Sequence, residues 1–182
     1  MNDKYIFLDR DGVINKDNGY VHEWKDFFFI DGVIEALKIL KKLNYKFVVV
    51  TNQSGIGRGL FTKEQYYKLT ELYKKYLLRH GIEFVEIYHC PHAPNKIEDK
   101  GCFCRKPNPG MILRAAQDHQ IELSDSIMVG DKITDMLAAK NAGIYKRFLL
   151  KENLDLINQN LVTKSFKSLL EIASFLDLNR NL

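Results

Sequence analysis

Disulfide chemistry has little to work with in this chain. Its 182 residues hold three cysteines, an odd number, at positions 90, 102 and 104. That count and clustering exclude a framework of cross-links and leave metal or thiol chemistry. Long apolar runs are missing too: no stretch approaches the roughly 18 residues of a membrane-crossing helix. A strong charge of either sign is absent. The 27 basic and 23 acidic side chains leave +4, too little to argue for nucleic acid by itself. No linker rich in Pro, Gly or Ser is present, and no internal repeat. The strand-like run entered by Tyr5 leaves no room for a signal peptide, so a cytoplasmic location is expected. Length and a hydrophobic content of 46% suit a single domain, 1–182, with a full core. No extra apolar surface stands out, so a monomer is expected.

What is present is a set of short apolar runs at Tyr5–Leu8, Phe47–Thr51, Phe84–His89 and Ile127–Val129, with a weaker one at Arg147–Leu150. None alternates cleanly, which predicts strands covered on both faces. Helical patterns fall between them, at Val33–Leu43, Lys63–His80, Pro109–His119 and Lys132–Ala142, and a last one at Ser165–Leu176. Thr62-Lys63-Glu64-Gln65 fits a capping box for the second helix, and Gly81 and Gly143 fit helix stops. Strands alternating with helices predict an α/β fold with a doubly wound, mostly parallel sheet. One irregular insert, at about 90–108, is too rich in Cys, Pro, Gly and charge to be a plain connection.

In such sheets ligands bind beyond the carboxyl ends of the strands. The first strand delivers Asp9-Arg10-Asp11-Gly12 there, and the second delivers Thr51-Asn52-Gln53-Ser54-Gly55. The fourth delivers Gly130-Asp131-Lys132, with Asp135 one turn on, while Arg105-Lys106 precedes a helix. Converging carboxylates repel, and a divalent cation relieves that; oxygen-only ligands suit Mg²⁺. Mg²⁺, Lys106 and hydroxyl donors then form a pocket for a phosphoryl group. Two unit charges about 4 Å apart repel by roughly 4 kcal/mol at an effective dielectric near 20, so an attacking aspartate needs that help. One carboxylate can attack phosphorus. The other, two residues along, can protonate the leaving oxygen and later activate water.

D-R-D-G-V, V-V-V-T-N, R-K-P and V-G-D-K-x-x-D, in that order, resemble the haloacid dehalogenase-type phosphatases. The resemblance implies a Rossmann-like core. It makes Asp9 nucleophile and Mg²⁺ ligand, and Asp11 acid/base with its backbone carbonyl on the metal. Asp131 would complete the Mg²⁺ site, with Asp135 orienting Lys132 and the metal's waters. Thr51 and Lys106 would bind the transferring phosphoryl group. Val13 stands where the family often has Thr, at a position that is mostly structural.

The insert offers Cys90 and His92, then, after nine residues, Cys102 and Cys104. Three thiolates and one imidazole fill a tetrahedral Zn²⁺ site with no open position, so this zinc is read as structural. His89 is expected to be a strand-end side chain rather than a further ligand, and His22, His80 and His119 carry no motif. Anchoring the insert would fix Arg105 and Lys106, which follow the last ligand.

No large cap domain fits between these elements, so loops must build the substrate wall. Within the superfamily, "FLDRDGVIN", "VVVTNQSGIGRG", "YHCPH" and "CRKPNPGM" are most similar to a branch acting on a heptose bisphosphate. That resemblance implies a sugar bisphosphate substrate. Asp17, Asn18, Gly19 and Tyr20 would touch the sugar. Asn52, Gln53, Ser54, Arg105 and Lys132 would bind the substrate. A second phosphate makes further cations useful, which gives Arg58 two readings, a partner for that phosphate beside Arg105 or a solvated loop charge. A histidinol-phosphate phosphatase shares the catalytic motifs and zinc loop and is the alternative. A polynucleotide 3′-phosphatase is disfavoured because the tyrosines of 63–80 are spaced for a helix core rather than for base stacking. A catalytically dead binding module is disfavoured by the intact Asp9, Asp11, Lys106 and Asp131.

Overall fold

The computed structural model describes residues 3–94, 102–151 and 160–180. Six strands form one parallel sheet: β1 Lys4–Leu8, β2 Tyr45–Asn52, β3 Phe84–Cys90, β4 Ile127–Gly130, β5 Lys146–Leu150 and β6 Lys164–Phe166, in the order β3-β2-β1-β4-β5-β6. Helices cover both faces. On one lie α1 (Val33–Lys42), α3 (Lys63–Arg79) and α6 (Leu169–Leu178), packed on Ile6, Leu8 and Val49. On the other lie α4 (Gly110–His119) and α5 (Ile133–Ala142), packed on Phe7, Val48, Val50 and Met128. Consecutive strand residues thus feed opposite cores, which is why the runs are apolar throughout. Among the described residues no helix is long and apolar enough to cross a membrane.

The capping box is formed: the Thr62 hydroxyl accepts from the Gln65 amide while the Gln65 side chain accepts from the Thr62 amide. Tyr66, Leu69, Tyr73 and Leu77 are buried on one stripe of α3, and Val13 is buried in the same core. The last helix departs from expectation. Lys164–Phe166 pair with β5 as a sixth strand, and α6 begins only at Leu169. The reason is local: the Ser168 hydroxyl accepts from the Glu171 amide and starts the helix there. A further short helix, α2 (Ser54–Gly57), follows the second strand, where the sequence pattern gave no helix. The expected zinc loop lies partly outside the described residues, at 95–101.

The chain runs outward from β1 through β2 to β3, then returns to β4 on the other side of β1. The direction of winding therefore reverses between β1 and β4, where the following loops diverge and open a crevice. Gly12 is required there. Its φ is +86°, and a Cβ would stand 2.3 Å from Asp131 Oδ2.

The start of α6 can be tested. Ser168→Ala should cost about 1 kcal/mol in urea unfolding. Ser165→Ala should cost almost nothing, because the buried Ser165 hydroxyl has no partner among the described residues.

Candidate active site

At the β1–β4 crevice a cavity of about 420 Å³ is lined by Asp9, Asp11, Asp17, Gly19, Tyr20, Thr51, Asn52, Gln53, Ser54, Gly55, Arg105, Lys106, Lys132, Thr134 and Asp135. Asp9 leaves β1 with its Oδ1 accepting from the Arg10 amide at 2.7 Å. The Lys106 ammonium, 3% exposed, lies 3.0 Å from that same oxygen and 2.7 Å from Asp135 Oδ1. It also donates to the Val50 carbonyl at 2.8 Å. Burial opposes its charge, but the Asp135 and Asp9 carboxylates raise its pKa above the usual lysine range.

The loop carrying Lys106 is clamped to β2. Asn52 accepts from the Lys106 amide and donates to the Lys106 carbonyl, both at 3.1 Å. Both ends of the Asn52 amide are thereby engaged in holding the loop, a task the sequence did not reveal.

Asp9, Asp131 and Asp135 each place a carboxylate oxygen within 4.8 Å of the others. Burial pushes Asp9 up to about 7, against the opposing pull of Lys106, and pushes Asp131 up to about 6. Asp131 Oδ1 is buried without a hydrogen-bond partner among the described residues. An orphaned oxygen inside an all-carboxylate cluster fits a hard divalent cation. The Asp11 side chain stands apart from this cluster, so what Asp11 could offer a cation is its main-chain carbonyl.

The Asp11 carboxylate turns instead to Arg10, which is 0% exposed. Arg10 Nη2 donates to Asp11 Oδ1 at 2.8 Å, and its Nε lies 3.2 Å from both oxygens. Asn15 donates to Oδ1 and Gln53 to Oδ2, each at 2.9 Å. Arg10 Nη2 also donates to the Val21 carbonyl at 2.9 Å, tying the loop after β1 to the same guanidinium. Gln53 further donates to the Thr51 hydroxyl at 2.9 Å.

The wall loops are also linked. Asp17 accepts from Gly19 N and from Lys132 Nζ, the latter at 2.9 Å. Hydrogen bonds from Lys132 and Gly19 outweigh its partial burial and hold the Asp17 pKa below the usual range. Arg105 donates to the His92 carbonyl at 3.2 Å. Asn18 and Arg58 are exposed and do not line the cavity. Thr134 does, although the sequence reading gave it no role. Arg10 and Asn15 were also missed, since nothing in "DRDGVIN" marks which of its polar residues are buried.

Cys90, His92, Cys102 and Cys104 converge beside this wall. Cys104 Sγ lies 3.2 Å from Cys90 Sγ and 3.3 Å from Cys102 Sγ and from His92 Nδ1. One nitrogen and three sulfurs gathered this closely match the donor set of a tetrahedral Zn²⁺ site. Burial raises the Cys90 thiol pKa, a cost that binding a metal to the thiolate would offset. His89 packs on Tyr66 at 4.3 Å between ring centroids and stays outside the cluster. The cluster is joined to the loops that line the cavity by short main-chain bonds. Gln53 N donates to Cys90 O at 2.7 Å and Arg105 N to Cys102 O at 3.0 Å. Gly57 meets the insert so closely that a Cβ would lie 2.7 Å from both Pro91 O and Ala93 N.

Comparison with known proteins agrees with this layout. A D-glycero-beta-D-manno-heptose-1,7-bisphosphate 7-phosphatase of Photorhabdus laumondii is 52% identical over 149 residues, covering 80% of this chain and 79% of its own. The D-glycero-alpha-D-manno-heptose-1,7-bisphosphate 7-phosphatase of the same organism is 44% identical over 151 residues, covering 81% of this chain and 82% of its own. Among solved structures, the D,D-heptose 1,7-bisphosphate phosphatase of B. bronchiseptica, complexed with magnesium and phosphate, superposes with a TM-score of 0.84 at 30% identity, over 97% of this chain and 99% of that one. The family model for haloacid dehalogenase-like hydrolases matches residues 6–143. With the parallel sheet and the carboxylate cluster at its switch point, this match shows that the chain belongs to the haloacid dehalogenase-like hydrolases.

Proposed function

We propose that this chain is a phosphatase that removes the C7 phosphate of D-glycero-D-manno-heptose 1,7-bisphosphate, in the making of heptose for lipopolysaccharide or another surface polysaccharide. The observation that carries this reading is the meeting of Asp9, Asp11, Thr51 and Lys106 in one cavity beside an acidic cluster. The similarity to heptose-bisphosphate phosphatases supports the substrate. Two of its relatives differ in the anomer they are named for, so the C1 configuration is left to the test below. A histidinol-phosphate phosphatase is not favoured.

Asp9, Asp131 and the Asp11 carbonyl would hold Mg²⁺, with Asp135 behind them bracing Lys106. When bound, Mg²⁺ supplies positive charge that screens the carboxylates from the incoming phosphate dianion. Asp9 Oδ2, which has no hydrogen-bond partner among the described residues, is the attacking atom. It bonds to phosphorus as the bond from phosphorus to the C7 oxygen breaks. Asp11 gives the departing oxygen a proton. The Asp11 carboxylate then takes a proton from water, the resulting oxygen bonds to phosphorus, and the Asp9–phosphorus bond breaks. Free phosphate leaves with both acids restored. Thr51 donates to a phosphoryl oxygen through both halves, and Lys106, whose three hydrogens meet Asp9, Asp135 and Val50, stabilises the phosphoryl group as a fixed positive charge beside it. Arg105 and Lys132 are the cations left to meet the rest of the substrate.

Zn²⁺ on Cys90, His92, Cys102 and Cys104 has no catalytic part in this reading. It holds the insert against β2 and α2 so that Arg105 and Lys106 reach the cavity. Reduced thiols in that set suit a cytoplasmic enzyme. All residues invoked come from one chain, which suits a monomer acting on a small molecule rather than on nucleic acid or a membrane.

Purified enzyme should release phosphate from heptose 1,7-bisphosphate far faster than from histidinol phosphate, and turnover of both anomers should show a preference. A clear preference for histidinol phosphate refutes the sugar assignment. Asp9→Asn should lower turnover by at least roughly 10³-fold while the melting temperature is kept. Normal turnover in that variant removes Asp9 as the nucleophile. Metal analysis should find about one zinc per chain, falling below half of that in Cys104→Ser.

A further inference from the structure

Gln53 sits where the two halves of the chemistry meet. Its side chain is 3% exposed, and its one amide nitrogen donates both hydrogens inward: to Thr51 Oγ1 and to Asp11 Oδ2, each at 2.9 Å. With both hydrogens so engaged, Gln53 has no donor left for a substrate. Two consequences follow from the direction of these bonds. Because the Thr51 oxygen accepts from Gln53, its own hydrogen must point elsewhere, and Thr51 donates to no other described residue. The phosphoryl oxygen bound in the cavity is the acceptor left for it.

The second consequence concerns Asp11. Its Oδ1 is fixed by the Arg10 guanidinium at 2.8 Å and by Asn15 at 2.9 Å. Its Oδ2 has Gln53 at 2.9 Å and a longer, shared contact with Arg10 Nε at 3.2 Å. A hydrogen bond from a neutral amide is weaker than one from a guanidinium, so Oδ2 is the oxygen that can carry a proton while still accepting from Gln53. Arg10 itself cannot move to release Oδ1, since it is fully buried and also holds the Val21 carbonyl.

We propose that Gln53 is a positioning residue for proton transfer: it fixes Asp11 Oδ2 relative to the phosphoryl group held by Thr51, so that the acid faces the leaving oxygen. This rests on the phosphatase reading above, in which Asp11 is the acid and Thr51 binds the phosphoryl group. It assigns the Gln53 amide nitrogen to the catalytic pair rather than to the sugar.

The test is a comparison of leaving groups. The alcohol of a sugar phosphate needs a proton as it departs, whereas p-nitrophenolate hardly does. For Gln53→Leu, kcat/KM should fall on the order of 10²-fold with the sugar bisphosphate and less than about 10-fold with p-nitrophenyl phosphate. Asp11→Ala should show the same split, more strongly. Equal losses on both substrates in Gln53→Leu, with the split kept in Asp11→Ala, overturn the positioning role and leave the phosphatase reading standing. A missing split in Asp11→Ala overturns the assignment of Asp11 instead. Gln53→Glu, close to the natural side chain in size, carries the same test if the leucine variant does not fold. It replaces the amide donor by an acceptor facing Asp11 and should not restore the loss.

Discussion

The Lys106 ammonium, buried against Asp9, Asp135 and the Val50 carbonyl, is the interaction on which the site depends. Removing a charge from water is costly unless it is paired and hydrogen-bonded, and here three oxygens surround one nitrogen. Those oxygens come from three separate parts of the chain: the end of β1, β2 and α5. Lys106 therefore joins them as well as balancing charge. It offsets only part of the cost of gathering these carboxylates, since burial first, and then their mutual repulsion, still holds Asp9 and Asp131 above the ordinary carboxylate range. The remainder is the physical reason for proposing a divalent cation at this place.

Holding a lysine this deep requires a rigid approach. The Asn52 amide pairs with both polar groups of the Lys106 main chain. The cysteine and histidine cluster grips the same loop two residues earlier. With the proposed Zn²⁺ bound, a metal-braced insert and an amide clamp would act on one short peptide, which ties that ion to the geometry of the cavity.

Much of this was legible because chemistry-bearing residues sit at strand ends, where the surrounding apolar run marks the boundary. Asp9, Asp11, Thr51 and Asp131 could be placed in this way, and Lys106 by its neighbours in the insert. The supporting residues could not. Arg10 reads as a surface charge until its burial is known, and Asn52 looks equally able to face a ligand or a loop. Gln53 gives no sign in the sequence of which way its amide turns. The fold was misjudged where signals were short. A three-residue strand at Lys164–Phe166 merges with the amphipathic pattern that follows it, and the single turn of α2 is too brief to show a period.

The strand order carries a further consequence for the growing chain. β1 lies between β2 and β4, so the acids that emerge first during synthesis wait for partners made more than a hundred residues later. A half-made chain would expose Asp9 and Asp11 beside an unfilled sheet edge, with neither Asp131 nor Asp135 to complete a cation site. A fragment that ends before the fourth strand therefore lacks two of the three carboxylates of the acidic cluster on which the proposed chemistry rests.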